Sequence, residues 1–204
     1  MLVTAGEARA QTSYNNEFWP EIDLHHWFSP QTQVIIMGST NRDRDSGSAY
    51  QAEFGATFEH IFTDWFSGRI GYRQGNGLDG SDFHENRLLT EQTFRMRLPA
   101  QVMVDFRTRE DFRWLNTGYS MRFRERIQVQ RDFAIGTYTF TPYGSTEVYY
   151  DTRYGQFSRY RLILGSVFPI IKSIDLEPYL VHQVDFASGT TITDALGLIL
   201  HVKF

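Results

Sequence analysis

The sequence predicts an all-β fold: a single antiparallel, up-and-down transmembrane β-barrel of ten or twelve strands, with twelve preferred. Three observations lead there. Apolar side chains recur at every second position through long segments, the period of an extended strand with one greasy face. The opposite positions are rich in Arg, Glu and Asp, which suits a lumen where charges must pair. Aromatic residues (17 Phe, 11 Tyr and 4 Trp) gather near the segment ends, where rings fit the headgroup level of a bilayer.

Eleven segments carry the pattern: 14–28, 32–41, 50–60, 65–74, 83–98, 101–110, 118–129, 142–151, 156–168, 174–186 and 191–204. Several exceed the roughly five to six residues usual in soluble sheets. Bacterial single-chain barrels have even strand numbers. An eleventh segment therefore implies that the first one splits or leaves the wall, or that a strand is hidden near Arg131–Thr141. The stretch Gln128–Tyr138 is where a turn of helix fits best. Asn41–Ala49 and Gly75–Asp82 are long, polar and Gly-rich, whereas the connections near Ser29–Gln31, Ile61–Asp64, Leu98–Ala100 and Pro169–Ser173 are short. Long loops at one end and tight turns at the other are the barrel signature, with the long loops outside the cell.

The 204 residues suffice for one domain, assigned to 13–204. Residues 1–12 are set aside as a signal-peptide remnant or disordered N-terminus, because Ala8-Arg9-Ala10 has the small-x-small form of a cleavage site. A formal charge of −4 leaves no cationic excess for nucleic acid. Cysteine is absent, which excludes thiolate chemistry and disulfides. No run of apolar residues is long enough for a membrane helix, but barrel strands need only about 9–11 alternating residues.

The last segment shows the faces well. Ile192, Leu196, Leu198, Leu200, Val202 and Phe204 share one side, broken only by Asp194. The same parity places Glu85, Arg87, Glu91, Arg95 and Arg97 together, then Asp105, Arg107 and Arg109, and then Arg122, Arg124 and Arg126. Glu147, Asp151, Arg159, Arg161 and Glu177 complete the expected lumen network. A turn over Leu98–Ala100 sets Glu91 across from Arg107. A five-residue loop from Thr152 to Gln156 sets Glu147 beside Arg161 and Tyr149 beside Arg159. Both acid–arginine pairs are expected to point into the lumen. Alternation alone would also suit a soluble barrel or sandwich with its charged face in water.

Four stretches carry a family resemblance: Glu85–Asn86–Arg87, the run RFRER at Arg122–Arg126, PYGSTEVYYD at Pro142–Asp151 and FSRYRLILG at Phe157–Gly165. Together they resemble the bacterial outer-membrane β-barrels grouped as domain of unknown function 2490, over most of the chain after Phe18. The resemblance implies a barrel in the bacterial outer membrane, in contact with its lipid, and brings no catalytic residues or ligand. Leu200, Val202 and the terminal Phe204 are similar to the signal by which the barrel assembly machinery reads outer-membrane proteins during insertion.

Phosphate loops, zinc-helix motifs and nucleophile elbows are absent. Of the six histidines (25, 26, 60, 84, 182 and 201), His25 and His26 are adjacent and point to opposite faces, so they cannot chelate together. A metal site would need partners from other strands; no metal and no cofactor is expected. His84, with Asn86 and Ser81 near the outer rim, is the candidate base if the barrel is a lipid-modifying hydrolase. The leading expectation is a narrow channel or a pore that binds a small anionic solute through its clustered arginines. A soluble binding module is the remaining alternative.

Overall fold

The computed structural model describes residues 12–187 and 189–204. Segment 1–11, with Ala8-Arg9-Ala10, lies outside the described residues, and Thr12 opens the first strand. Twelve strands follow: β1 (Thr12–Ser29), β2 (Thr32–Asp43), β3 (Ala49–Thr63), β4 (Phe66–Gly77), β5 (His84–Arg97), β6 (Val102–Leu115), β7 (Gly118–Arg131), β8 (Phe133–Ile135), β9 (Tyr138–Asp151), β10 (Gln156–Ile171), β11 (Ile174–Asp185) and β12 (Thr190–Lys203). Alternation explains them: a residue type that suits one environment at every second position suits only a strand.

Eleven of the twelve form a closed wall, and β8 is a short extension paired only with the start of β9. Strands joined by hairpins reverse direction each time. The first and last of an odd number therefore run the same way, and β1 closes on β12 in parallel, from Thr12 beside Thr190 to His25 beside Lys203. This corrects the expectation of an entirely antiparallel wall; every other wall pairing is antiparallel. Gln128–Tyr138 holds no helical turn: it is the end of β7, then β8 and the first residue of β9.

The barrel is polar within and apolar without. Among the described residues, the buried side chains comprise six apolar and twenty-one polar or charged ones. Ile70, Leu162, Leu164 and Leu180 are each more than two-fifths exposed, in the middle of strands. A soluble protein would not leave mid-strand leucines outside and bury arginines instead. The arrangement is that of a membrane-embedded barrel, in which lipid covers the apolar face.

Aromatic bands mark its two rims. Near the short turns Trp65 stacks on Phe94 at 6.4 Å and Phe140 on Phe168 at 5.9 Å. Near the long loops Trp114 meets Tyr119 at 5.6 Å and Tyr150 meets Phe157 at 5.7 Å. The long loops are organised by their acids. The Asp43 carboxylate accepts the N–H of Ser46 at 2.8 Å and its hydroxyl at 3.0 Å, and these bonds hold its pKa below the usual carboxylate range.

Register departs from expectation at one turn. The connection after β5 tightens over Pro99–Gln101, closed by the Leu98 N–H donating to the Val102 carbonyl at 2.8 Å. The turn thus sits one residue further along than Leu98–Ala100. That preserves both faces and moves each partner by two, so Glu91 lies across from Arg109, and Arg107 across from Thr93. The β9–β10 register is as expected: Glu147 opposes Arg161 and Tyr149 opposes Arg159. There the loop is one residue shorter than five, and a bulge between Phe157 and Arg159 restores the count.

Two features of the wall are open to direct test. On the outer face, midway between the bands, Thr90 and Thr108 donate their hydroxyls to Glu110 and Glu125. These carboxyls break the apolar belt. Glu125→Leu is expected to raise unfolding stability in lipid or detergent by about 1–2 kcal/mol, less than a mid-bilayer Arg or Lys would cost. Thermal melting reads this, and a fall in stability would mean that something other than lipid covers that face. On the inner face the Tyr179 ring lies flat over Gly197, where an added Cβ would stand 2.0 Å from its Cζ. Gly197→Ala should lift that ring off the wall and cost about 1–3 kcal/mol, as overpacking does; an unchanged melt would show the ring free to move.

Candidate functional site: the arginine-lined lumen

Alternation along β5, β6, β7 and β9 turns Glu85–Arg87–Glu91, Asp105–Arg107–Arg109–Asp111–Arg113, Arg122–Arg124–Arg126 and Glu147–Tyr149–Asp151 inward, on neighbouring staves of the wall. The resulting ion pairs form a cluster around Glu85 near the long loops, a separate Arg95–Asp105 pair and a network in the middle of the lumen.

Its centre is Glu147, 2% exposed. Arg126 on β7 and Arg161 on β10 oppose it from the two flanking strands. The carboxylate itself accepts from Arg107 Nη2 at 2.5 Å and from Arg124 Nη2 at 3.0 Å, and also takes the Tyr149 hydroxyl. Four guanidiniums surround the Tyr149 ring: Arg124 at 4.8 Å, Arg159 at 5.3 Å, Arg161 at 5.5 Å and Arg122 at 5.9 Å from its centroid. The ring's negative face offsets part of the mutual repulsion of these cations.

Toward the long loops, Glu85 binds Arg87 at 2.7 Å and Arg113 at 2.8 Å. Arg113 passes on to Asp151 at 2.9 Å, which Arg122 reaches at 3.3 Å. Asp111 binds Arg109 at 2.7 Å. Toward the short turns, Arg69 joins Glu59 at 2.9 Å and Glu91 at 3.2 Å, and Arg107 reaches Glu91 diagonally at 3.4 Å. Arg95 pairs with Asp105 at 3.2 Å, and Arg159 with Asp185 at 2.5 Å.

Of the expected network, Arg97 is exposed at the short-turn rim and makes no ion pair among the described residues. Glu177 pairs with no arginine: it accepts from the Tyr143 hydroxyl at 2.5 Å and bonds His201 Nε2 at 2.9 Å. Arg161 and Glu147 share a level but no salt bridge, since Arg161 donates twice to Gln183 Oε1, at 2.9 and 2.6 Å. Sequence reasoning passed over Glu53, Glu59, Arg69, Arg73, Asp111 and Arg113. The first four stand on the inward parity of segments already assigned as strands. Asp111 and Arg113 were lost because Glu110, an acid on the apolar side, ends the visible alternation five residues before β6 stops.

His84 sits outward at the start of β5. Its Nδ1 bonds Asn76 Oδ1 at 2.8 Å and its Nε2 bonds Asn86 Nδ2 at 2.9 Å. Both ring nitrogens are thus engaged by amides, and neither bonds Ser81. Leu200 and Val202 lie on the outer face of β12, and the Phe204 N–H donates to the His25 carbonyl at 3.0 Å.

The network encloses a cavity of about 730 Å³. Its lining runs from Asn15, Tyr50 and Asn116 at the long-loop end down to Arg126, Ile199 and Glu177. Glu59, Asp105 and Asp175, nearer the short turns, do not line it. Among the described residues, eleven arginines and seven carboxylates face it; counting Asp111 and Asp151, which brace arginines of that lining, the cations still lead. Arg126 and Arg161 are lining arginines with no carboxylate partner among the described residues, and Arg126 Nε is buried without any hydrogen bond.

Comparison with solved structures finds barrels. A bacterial polysaccharide outer membrane secretin matches with a TM-score of 0.53 at 10% identity, over 84% of this chain. The chain spans 63% of that protein's length. A KdgM porin aligns with a TM-score of 0.46 at 13% identity, over 82% of this chain and 88% of that one. At such identities the likeness to the secretin shows the fold alone. No curated protein matches the sequence. A family model does, over residues 16–193, and the chain belongs to that family, described as protein of unknown function (DUF2490).

Proposed function

We propose that this chain is an outer-membrane channel or pore that takes small anionic solutes, carboxylates or phosphates, into its lumen from the long-loop end. One observation carries the reading: Arg126 and Arg161 flank the cavity at the level of Glu147 with no carboxylate of their own. A guanidinium in a confined space needs an anion, and its planar fork suits carboxylate and phosphate oxygens. The cavity falls in the range of about 300–1,000 Å³ typical of small-ligand sites. The outward aromatic bands suit outer-membrane lipid.

Reconstitution in a planar bilayer under a potassium chloride gradient tests the proposal. The expected reversal potential has the sign of chloride preference, and Arg126→Gln with Arg161→Gln shifts it toward zero or beyond. A folded barrel that conducts nothing, or prefers potassium, would sink the reading. The hub makes a separate prediction. Glu147→Gln leaves Arg107 and Arg124 without their central carboxylate and is expected to cost about 3–5 kcal/mol of stability, as does removing one partner of a buried ion pair. Denaturant unfolding in detergent measures it, and a loss below 1 kcal/mol would deny Glu147 its central place.

A further inference from the structure

At the short-turn end of the lumen, away from the arginine cavity, three side chains converge across the seam that closes the barrel. Asp23 and His25 come from β1 and His201 from β12, where Asp23 and His201 are direct register partners. His25 Nε2 faces His201 Nδ1 at 3.2 Å. Asp23 Oδ2 stands 3.7 Å from the same Nδ1. One donor atom from each of the three residues lies within 4.8 Å of the others.

The partners behind the rings decide what the facing nitrogens carry. His201 Nε2 lies 2.9 Å from Glu177 Oε2, a carboxylate oxygen that accepts its hydrogen bond, so the proton of a neutral ring sits on Nε2. His25 Nδ1 lies 3.0 Å from Gln33 Oε1. The orientation of that amide is fixed in turn, because Gln33 Nε2 donates to Glu59 Oε2, again an acceptor only. The His25 proton therefore sits on Nδ1. With both rings neutral, each facing nitrogen carries a lone pair, and the two stand 3.2 Å apart. Asp23 adds a second anomaly: its other oxygen, Oδ1, is buried and has no hydrogen-bond partner among the described residues. The one nearby ammonium, Lys203, is held by Asp175.

Two facing lone pairs with a carboxylate oxygen, Asp23 Oδ2, beside them call for a cation. We infer that Asp23, His25 and His201 form a site for a divalent transition metal of the zinc class, which ties β1 to β12. Ligands about 2.0–2.1 Å from a tetrahedral zinc ion are separated by roughly 3.3 Å, beside 3.2 Å between the two ring nitrogens and 3.7 Å from His201 Nδ1 to Asp23 Oδ2. Glu177 and Gln33 take the part of the outer acceptors that orient metal-binding histidines. Three protein ligands leave a fourth position for water.

The test uses the full chain folded in detergent, stripped with a chelator and titrated with zinc chloride by calorimetry. One zinc ion per chain is expected, with a rise in the thermal midpoint. His25→Gln and His201→Gln should each weaken binding roughly tenfold or more, as should Glu177→Gln through loss of the outer carboxylate. His182→Gln, on the outer face beside Asp194, should leave it unchanged. Heat-modifiable gel migration establishes that each variant is folded. If the histidine variants do not fold, cobalt(II) added to the wild-type chain decides, through the visible absorption of a four-coordinate site. Wild-type protein that binds no zinc, affinity indifferent to His25 and His201, or cobalt lacking that absorption would overturn the inference and leave a proton shared between the two rings.

Discussion

The structure depends on the neutralisation of guanidinium groups crowded side by side along the wall of a confined lumen. A charge moved out of bulk water loses several kcal/mol that only close opposite charge and full hydrogen bonding can offset. The chain answers with eighteen arginines against two lysines. The choice is physical: an arginine donates in a fixed plane to two acceptors at once, whereas an ammonium is a compact point charge that demands water. Arg113 shows the benefit, binding Glu85 through Nε and Asp151 through Nη1 in a single arrangement. Carboxylates bridge arginines of neighbouring strands, so strands are held together through side chains as well as through their backbone ladder.

The same economy of space bears on how the wall closes. Eleven strands leave β1 and β12 running together, and parallel pairing is slightly weaker per residue than antiparallel. This seam carries side-chain ties of its own. Ser13 and Thr191 hydroxyls bond at 2.9 Å near the long loops, and the Asp23–His25–His201 cluster sits near the short turns. The Phe204 N–H adds one more backbone bond to β1, beyond the last ladder pair. The junction that sequence order leaves weakest is therefore tied near both of its ends.

Most of this architecture was legible because a strand with two different environments must alternate. Where alternation held, as in the run from Met121 to Val129, the faces could be read directly. It failed where a residue served the less common role for its parity. Glu110 and Glu125 bond threonines on the lipid side, and Glu110 concealed the last turn of lumen charge, Asp111 and Arg113. Register was harder, since a turn can slide by one residue without disturbing either face; Pro99 set it with the tight turn it opens. The closing pair was illegible for a different reason. Pairing between the first and last strands leaves no local trace, and an even strand count hid the parallel alternative. The histidine cluster was missed on the same account: its members lie 176 residues apart in sequence and meet only at that seam.

The formal charge of the chain also misleads until the charges are placed. At −4 the molecule is acidic overall, yet its cavity is cationic. The two facts agree because the acids are distributed unevenly. Asp43, Asp45, Asp79 and Asp82 lie in or beside the long loops, and Glu110, Glu125 and Asp194 point outward. Water and salt screen the loop charges within about 8–10 Å. Arginines inside a low-dielectric wall are screened far less, so a solute in the lumen responds to them rather than to the total. Net charge in such a barrel governs what the surface repels, whereas the parity of each acid along its strand governs what the interior can hold.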